Sequence, residues 1–125
     1  MSAAKPVPAV SPDAVLTKAT IRAADLLALQ SADLAKVIGV SDSTVSRYRH
    51  GGSEISPTSK VGELSLLLVR LLRALDPLVG ADSELRKAWM HSVNQALGGV
   101  PAKLILKPDG LVRTLSYLDG MRAAA

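Results

Sequence analysis

Cysteine is missing from the 125 residues, and so is phenylalanine. The first absence excludes a disulfide scaffold, thiolate catalysis and a cysteine-type zinc site. His50 and His91 are the only histidines and lie far apart in sequence, so neither a metal nor another cofactor is expected. Aromatics amount to 2% (one Trp, two Tyr), which leaves the core to Leu, Val, Ile and Ala and favours helices over sheets. A membrane-length apolar run is also lacking: the richest stretch, Leu64 to Leu75, is broken by Arg70 and Arg73. The first dozen residues hold Pro6, Pro8 and Pro12 and no continuous apolar segment, which is unlike a signal peptide. The expectation is therefore a soluble, cytoplasmic chain with no membrane contact. Negative charge is the scarcer sign, with 11 Asp+Glu against 15 Lys+Arg and a net charge of +4. That excess permits a polyanionic partner without demanding one.

What is present reads as an all-α chain. Residues 1–12 are expected to be a disordered tail, because their prolines remove backbone donors and nothing periodic accompanies them. Asp13 is expected to cap a first helix, in which Val15, Leu16, Ala19, Ile21, Ala23, Leu26, Leu27 and Leu29 recur roughly at helical spacing to about Leu29. Ser31 opens a second helix that Gly39 ends, and Ser41 caps a third that runs to His50 before Gly51 and Gly52. A long helix from Thr58 to Asp76 follows, stopped by Pro77 and Gly80. The next is capped by Asp82 or Ser83, carries Leu85, Trp89 and Val93, and is expected to end at Gly98-Gly99. Pro101 to Leu106 reads as a short helix, Lys107 to Gly110 as a turn, and Leu111 to Arg122 as the last helix. The domain boundary is placed so that 13–57 form one unit and 58–125 another.

Ser31 to His50 carries the most chemistry. Ala35, Gly39 and Val45 are spaced four and then six apart, within a frame of Leu34, Ile38, Val40 and Tyr48. Two helices crossing steeply within a few residues need a small side chain where they touch, which Ala35 supplies. The turn between them needs positive φ, which Gly39 tolerates. Val45 and Tyr48 then pack inward on Leu34 and Ile38, the arrangement of a DNA-binding helix-turn-helix. The outward residues of the third helix are short polar groups followed by bases, suited to a recognition helix entering the major groove. Arg47 is the candidate for a bidentate guanine contact. Ser41, Ser43 and Ser46 are candidates for bases or phosphates, and Arg49, His50 and Lys60 for phosphates. Asp42 either reads cytosine N4 or favours the helix N-terminus. The alternative is an ordinary solvated face on a helical hairpin.

The long helix is apolar over more than one face, so Leu64, Leu67, Leu68 and Leu71 are candidates for a homodimer interface. The alternative is a central core helix. A two-fold dimer would present two recognition helices about 34 Å apart to palindromic double-stranded DNA. Beyond it, Leu97-Gly98-Gly99-Val100-Pro101 reads as a sharp helix stop and restart, with Trp89 and Tyr117 as anchors of a small core. No nucleophile triad, carboxylate pair or phosphate-cradling loop emerges, so an enzyme is not expected.

The order of a Trp-bearing helix, then LGGVP, then an Asp-Gly turn, then a helix ending YLDGMR resembles the toxin-binding domain of the Xre/MbcA/ParS antitoxins. In that family it follows an Xre-like helix-turn-helix, as here. The resemblance covers roughly residues 13–125. It implies a helix-turn-helix domain followed by a small helical dimerisation and toxin-binding module. It further implies a RES-type toxin that degrades or modifies NAD and whose active site the C-terminal module covers, and a dimer that represses its own promoter. Carried over by position, the toxin-facing candidates are Gly98, Gly99, Val100, Pro101, Lys103, Arg113, Arg122 and Ala125. The small tail at 123–125 enters a pocket in this reading, with its terminal carboxylate on a basic groove. For Arg113 and Arg122 a solvated face is the alternative, and for Trp89, Leu97 and Tyr117 core packing is the preferred reading. The competing function is a stand-alone helix-turn-helix regulator with no toxin partner.

Overall fold

The computed structural model describes residues 10–124. Most of the expected tail, residues 1–9, lies outside them, as do Ala125 and the terminal carboxylate. Seven helices follow one another among the described residues. They are α1 (Pro12–Leu26), α2 (Ser31–Ile38), α3 (Asp42–His50), α4 (Lys60–Val79), α5 (Ser83–His91), α6 (Pro101–Leu104) and α7 (Pro108–Ala124). The expected all-α class is what the chain adopts, and the only pairing of extended backbone among these residues is an isolated bridge between Asn94 and Gly99. None of these helices is long and apolar enough to cross a membrane.

Several boundaries differ from the sequence reading: α1 stops at Leu26, short of Leu29, α4 begins at Lys60 and not Thr58, α6 ends at Leu104 and not Leu106, and four more differ for local reasons. Helix α1 starts at Pro12, not after Asp13, because Ser11 Oγ accepts the Ala14 N–H at 3.1 Å and proline needs no donor at a first helical position. Helix α4 runs through Pro77 to Val79, where the lost backbone donor falls in the last turn and the Gly80 N–H closes on the Asp76 carbonyl at 2.7 Å. Pro108, Asp109 and Gly110 are the first turn of α7 and not a free turn. Helix α5 ends at His91, so Val93 lies beyond it and is exposed.

Helix α4 is the hub, packing chiefly on α7 and α1 and also touching α2 and α5. Leu68, Leu71 and Leu75 on its inner face are completely buried, and a single apolar cluster runs from Leu16 to Leu118. This corrects half of the expected dimer seam. Leu68 and Leu71 are consumed by the chain's own core, whereas Leu64 and Leu67 are only half-buried. Two glycines set how closely segments approach α4 and α7. A Cβ on Gly62 would lie 2.0 Å from the Ser56 carbonyl oxygen, and one on Gly110 would lie 1.9 Å from that of Leu104. Both contacts are with backbone, so neither neighbour has a rotamer to turn aside.

Candidate functional site

The helix-turn-helix geometry follows from three residues. Gly39 has φ 76 and ψ 40 in the left-handed region, and a Cβ there would meet no atom within 4 Å. Its glycine is therefore required by conformation and not by space. Ala35 on α2 is 3% exposed and Val45 on α3 is fully buried, and both belong with Leu34 and Ile38 to one apolar cluster. Tyr48 is half-buried against that cluster.

Packing those positions inward leaves Ser41, Asp42, Ser43, Ser46, Arg47 and His50 exposed along α3. Ser41 caps the helix by accepting the Thr44 N–H at 3.2 Å, and its hydroxyl also bonds those of Ser43 (3.0 Å) and Thr44 (2.9 Å). Arg47 folds back along the helix, donating to Thr44 Oγ1 at 2.9 Å. That bond is to a neutral, solvent-facing hydroxyl, so exchanging it for a base or phosphate costs little. Asp42 lies in the first turn, where a carboxylate complements the helix dipole.

Two expected phosphate ligands are otherwise engaged. Arg49 is half-buried and turned toward α1 and α2: it donates to both Asp25 carboxylate oxygens at 2.9 and 3.3 Å and to Ser31 Oγ at 3.1 Å. It ties the end of α3 to the end of α1 and the start of α2, acting on the reading helix as a brace. Lys60 pairs with Glu63 at 2.9 Å one turn along α4, an exposed pair that solvent weakens. Because Asp25 is also largely exposed, a double-mutant cycle of Asp25→Asn and Arg49→Gln is expected to give a coupling below about 1 kcal/mol in urea unfolding. The coupling should shrink as salt is added; zero coupling at low salt would remove the brace.

At the other end of the molecule, residues 94–99 close into a compact loop. Asn94 N–H bonds the Gly99 carbonyl at 2.8 Å, Gly99 N–H bonds the Asn94 carbonyl at 3.2 Å, and Asn94 Oδ1 accepts the Leu97 N–H at 3.1 Å. Gly98 has φ 74, which a side chain would resist. Leu97 plugs the loop into the core, and the Arg113 guanidinium on α7 donates to the Leu97 carbonyl. Arg113 therefore braces the loop. Of the remaining toxin-facing candidates, Gly98, Lys103 and Arg122 are exposed, Gly99 and Val100 are half-buried, and Pro101 is buried as the first residue of α6. Trp89 and Tyr117 are partly buried against the core, in keeping with their expected packing role.

Sequence reasoning passed over Lys18, Arg22 and Asp25 on α1, which line a cleft against Tyr48 and Arg49. Their spacing of four and then three residues was a readable signal, masked by the apolar period on the opposite side of the same helix.

Two family models match end to end. The antitoxin Xre-like helix-turn-helix domain matches residues 7–73, more than half of the chain. The antitoxin Xre/MbcA/ParS C-terminal toxin-binding domain matches residues 74–123. No curated protein matches the sequence. With α2 and α3 forming the helix-turn-helix that the first model describes, and α5, α6 and all but the last residue of α7 lying within the second, the chain belongs to the Xre/MbcA/ParS family of antitoxins.

Proposed function

We propose that this antitoxin neutralises a RES-type, NAD-degrading toxin by covering its active site with the C-terminal module, and represses its own operon by binding palindromic DNA as a homodimer. The observation that carries the reading is the succession of the two family matches in one chain, with the outward face of α3 left free of intramolecular packing. In this reading Arg47 reads a guanine, Ser41, Asp42, Ser43 and Ser46 line the groove, and His50 and Lys60 hold phosphates. Arg49 acts behind them as a positioning residue. The toxin meets Gly98, Gly99 and Val100, held in place by Pro101 and Arg113, together with Lys103 on α6 and Arg122 on α7; Ala125 is a further candidate contact. The seam for a second copy draws on Leu64 and Leu67 together with Leu66, which is 44% exposed on α4.

Coexpression with the product of the neighbouring reading frame, followed by purification and mass measurement, tests the partner. A stable complex in which NAD consumption by that product is silenced is the expected result. A free protein that still binds its promoter would support the stand-alone regulator instead. For the DNA half, Arg47→Ala is expected to cut discrimination between operator and random duplex by about 1–3 kcal/mol. Equal losses on both duplexes would reduce Arg47 to a phosphate contact. Affinity should also fall steeply with salt, as counterions are released.

A further inference from the structure

Apart from the Arg49–Asp25 brace, the cleft between α1 and the C-terminal half of α3 has no part in the reading above. Its volume is about 350 Å³, at the small end of the range of roughly 300–1,000 Å³ typical of small-molecule sites. Lys18, Arg22 and Asp25 contribute from one face of α1, and Arg49 from α3. The Asp25 carboxylate is occupied by Arg49. Among the described residues neither Lys18 nor Arg22 has an acidic group within 4 Å, so the cleft keeps two uncompensated positive charges one helical turn apart. Like charges at that spacing repel, and a bound anion relieves the repulsion. The rest of the wall is apolar: Ile21, Leu26 and Tyr48 are each half-buried, and Tyr48 offers the only aromatic ring.

A doubly negative group joined to a flat ring satisfies both halves of that wall. We propose that the cleft binds a small phosphate monoester on a planar ring, the size of a nucleoside monophosphate, with Lys18 and Arg22 holding the phosphate and Tyr48 against the ring. Because Tyr48 and Arg49 belong to α3, the ligand touches the reading helix near its C-terminal end. The site does not depend on the identity of any toxin.

The test titrates adenosine 5′-monophosphate into the full chain by calorimetry, with adenosine and inorganic phosphate as separate arms. Saturable binding of the nucleotide is expected, with both arms at least tenfold weaker. Lys18→Ala combined with Arg22→Ala should weaken it at least tenfold again while the circular dichroism melt stays put, since both side chains are exposed. Absence of saturation in the millimolar range, or equal binding by the double variant, would overturn the proposal. Inorganic phosphate binding as tightly as the nucleotide would overturn it too, because the ring wall would then do nothing. If the double variant loses affinity only for duplex DNA, the two cations serve backbone phosphates and the cleft is not a ligand site.

Discussion

Gly110→Ala is expected to lower the stability of the protein by several kcal/mol without a change of fold. The added methyl carbon would lie 1.9 Å from the Leu104 carbonyl oxygen and 2.7 Å from its carbon, and only backbone movement relieves that overlap. Overpacking typically costs about 1–3 kcal/mol and occasionally more, and an obstacle that cannot rotate away puts this site at the upper end, against a total stability of about 5–15 kcal/mol. Alanine's better helix propensity offsets only about 1 kcal/mol of that. Since α6 must separate from α7 to make room, the 94–99 loop that Arg113 braces from α7 loses its support, and binding of the partner toxin should fall with stability. Gly120→Ala is the matched control on the same helix: nothing lies within 4 Å of its Cβ, so it should be neutral or stabilising by up to about 1 kcal/mol. Urea unfolding of the two variants checks both. Equal midpoints would mean that α6 and α7 are not packed as described.

Leu68→Ala carries the second large effect and separates a core role from an interface role. Its side chain is fully buried within one chain, so truncation removes packed methyl groups and leaves a cavity beside α1 and α7. Buried leucines lose about 2–5 kcal/mol in such changes. A core residue destabilises the monomer by an amount that does not vary with protein concentration, whereas an interface residue shifts the concentration at which dimers form. Thermal melts over a hundredfold range of concentration should therefore show the same depression throughout. Leu66→Ala, on the exposed side of the helix, is expected to leave the melt of the dilute protein nearly unchanged. A concentration-dependent loss for Leu68→Ala would return that residue to the seam.

The helix-turn-helix was readable because its demands are local and steric. A small residue at 35, a left-handed turn at 39 and a buried branched residue at 45 leave few other solutions over so short a span. Serines before helices were likewise informative, and the Ser11-Pro12 start of α1 was legible but misassigned to the tail. Three features were not legible. Periodicity pointed Arg49 outward, yet a long side chain bends, and its carboxylate partner is Asp25, 24 residues away in sequence. Pro77 is a stop signal wherever a helix has far to run, and here it had only Leu78 and Val79 left. Leucine pattern alone also could not divide α4 between core and partner, since burial depends on which faces α1 and α7 take.

Helix α4 continues without a break from Lys60 to Val79, and the two family matches meet inside it at residues 73 and 74. The halves are thus not beads on a string that recombination could exchange at their nominal border. A graft made there inherits half a rod and half a core, and leaves Leu68 and Leu71 facing whatever stranger the new half provides. Reassortment of toxin specificity in such a chain must carry matched inner faces along with it, so new pairings should arise by gradual change on the outside of α5 to α7 and not by wholesale swapping.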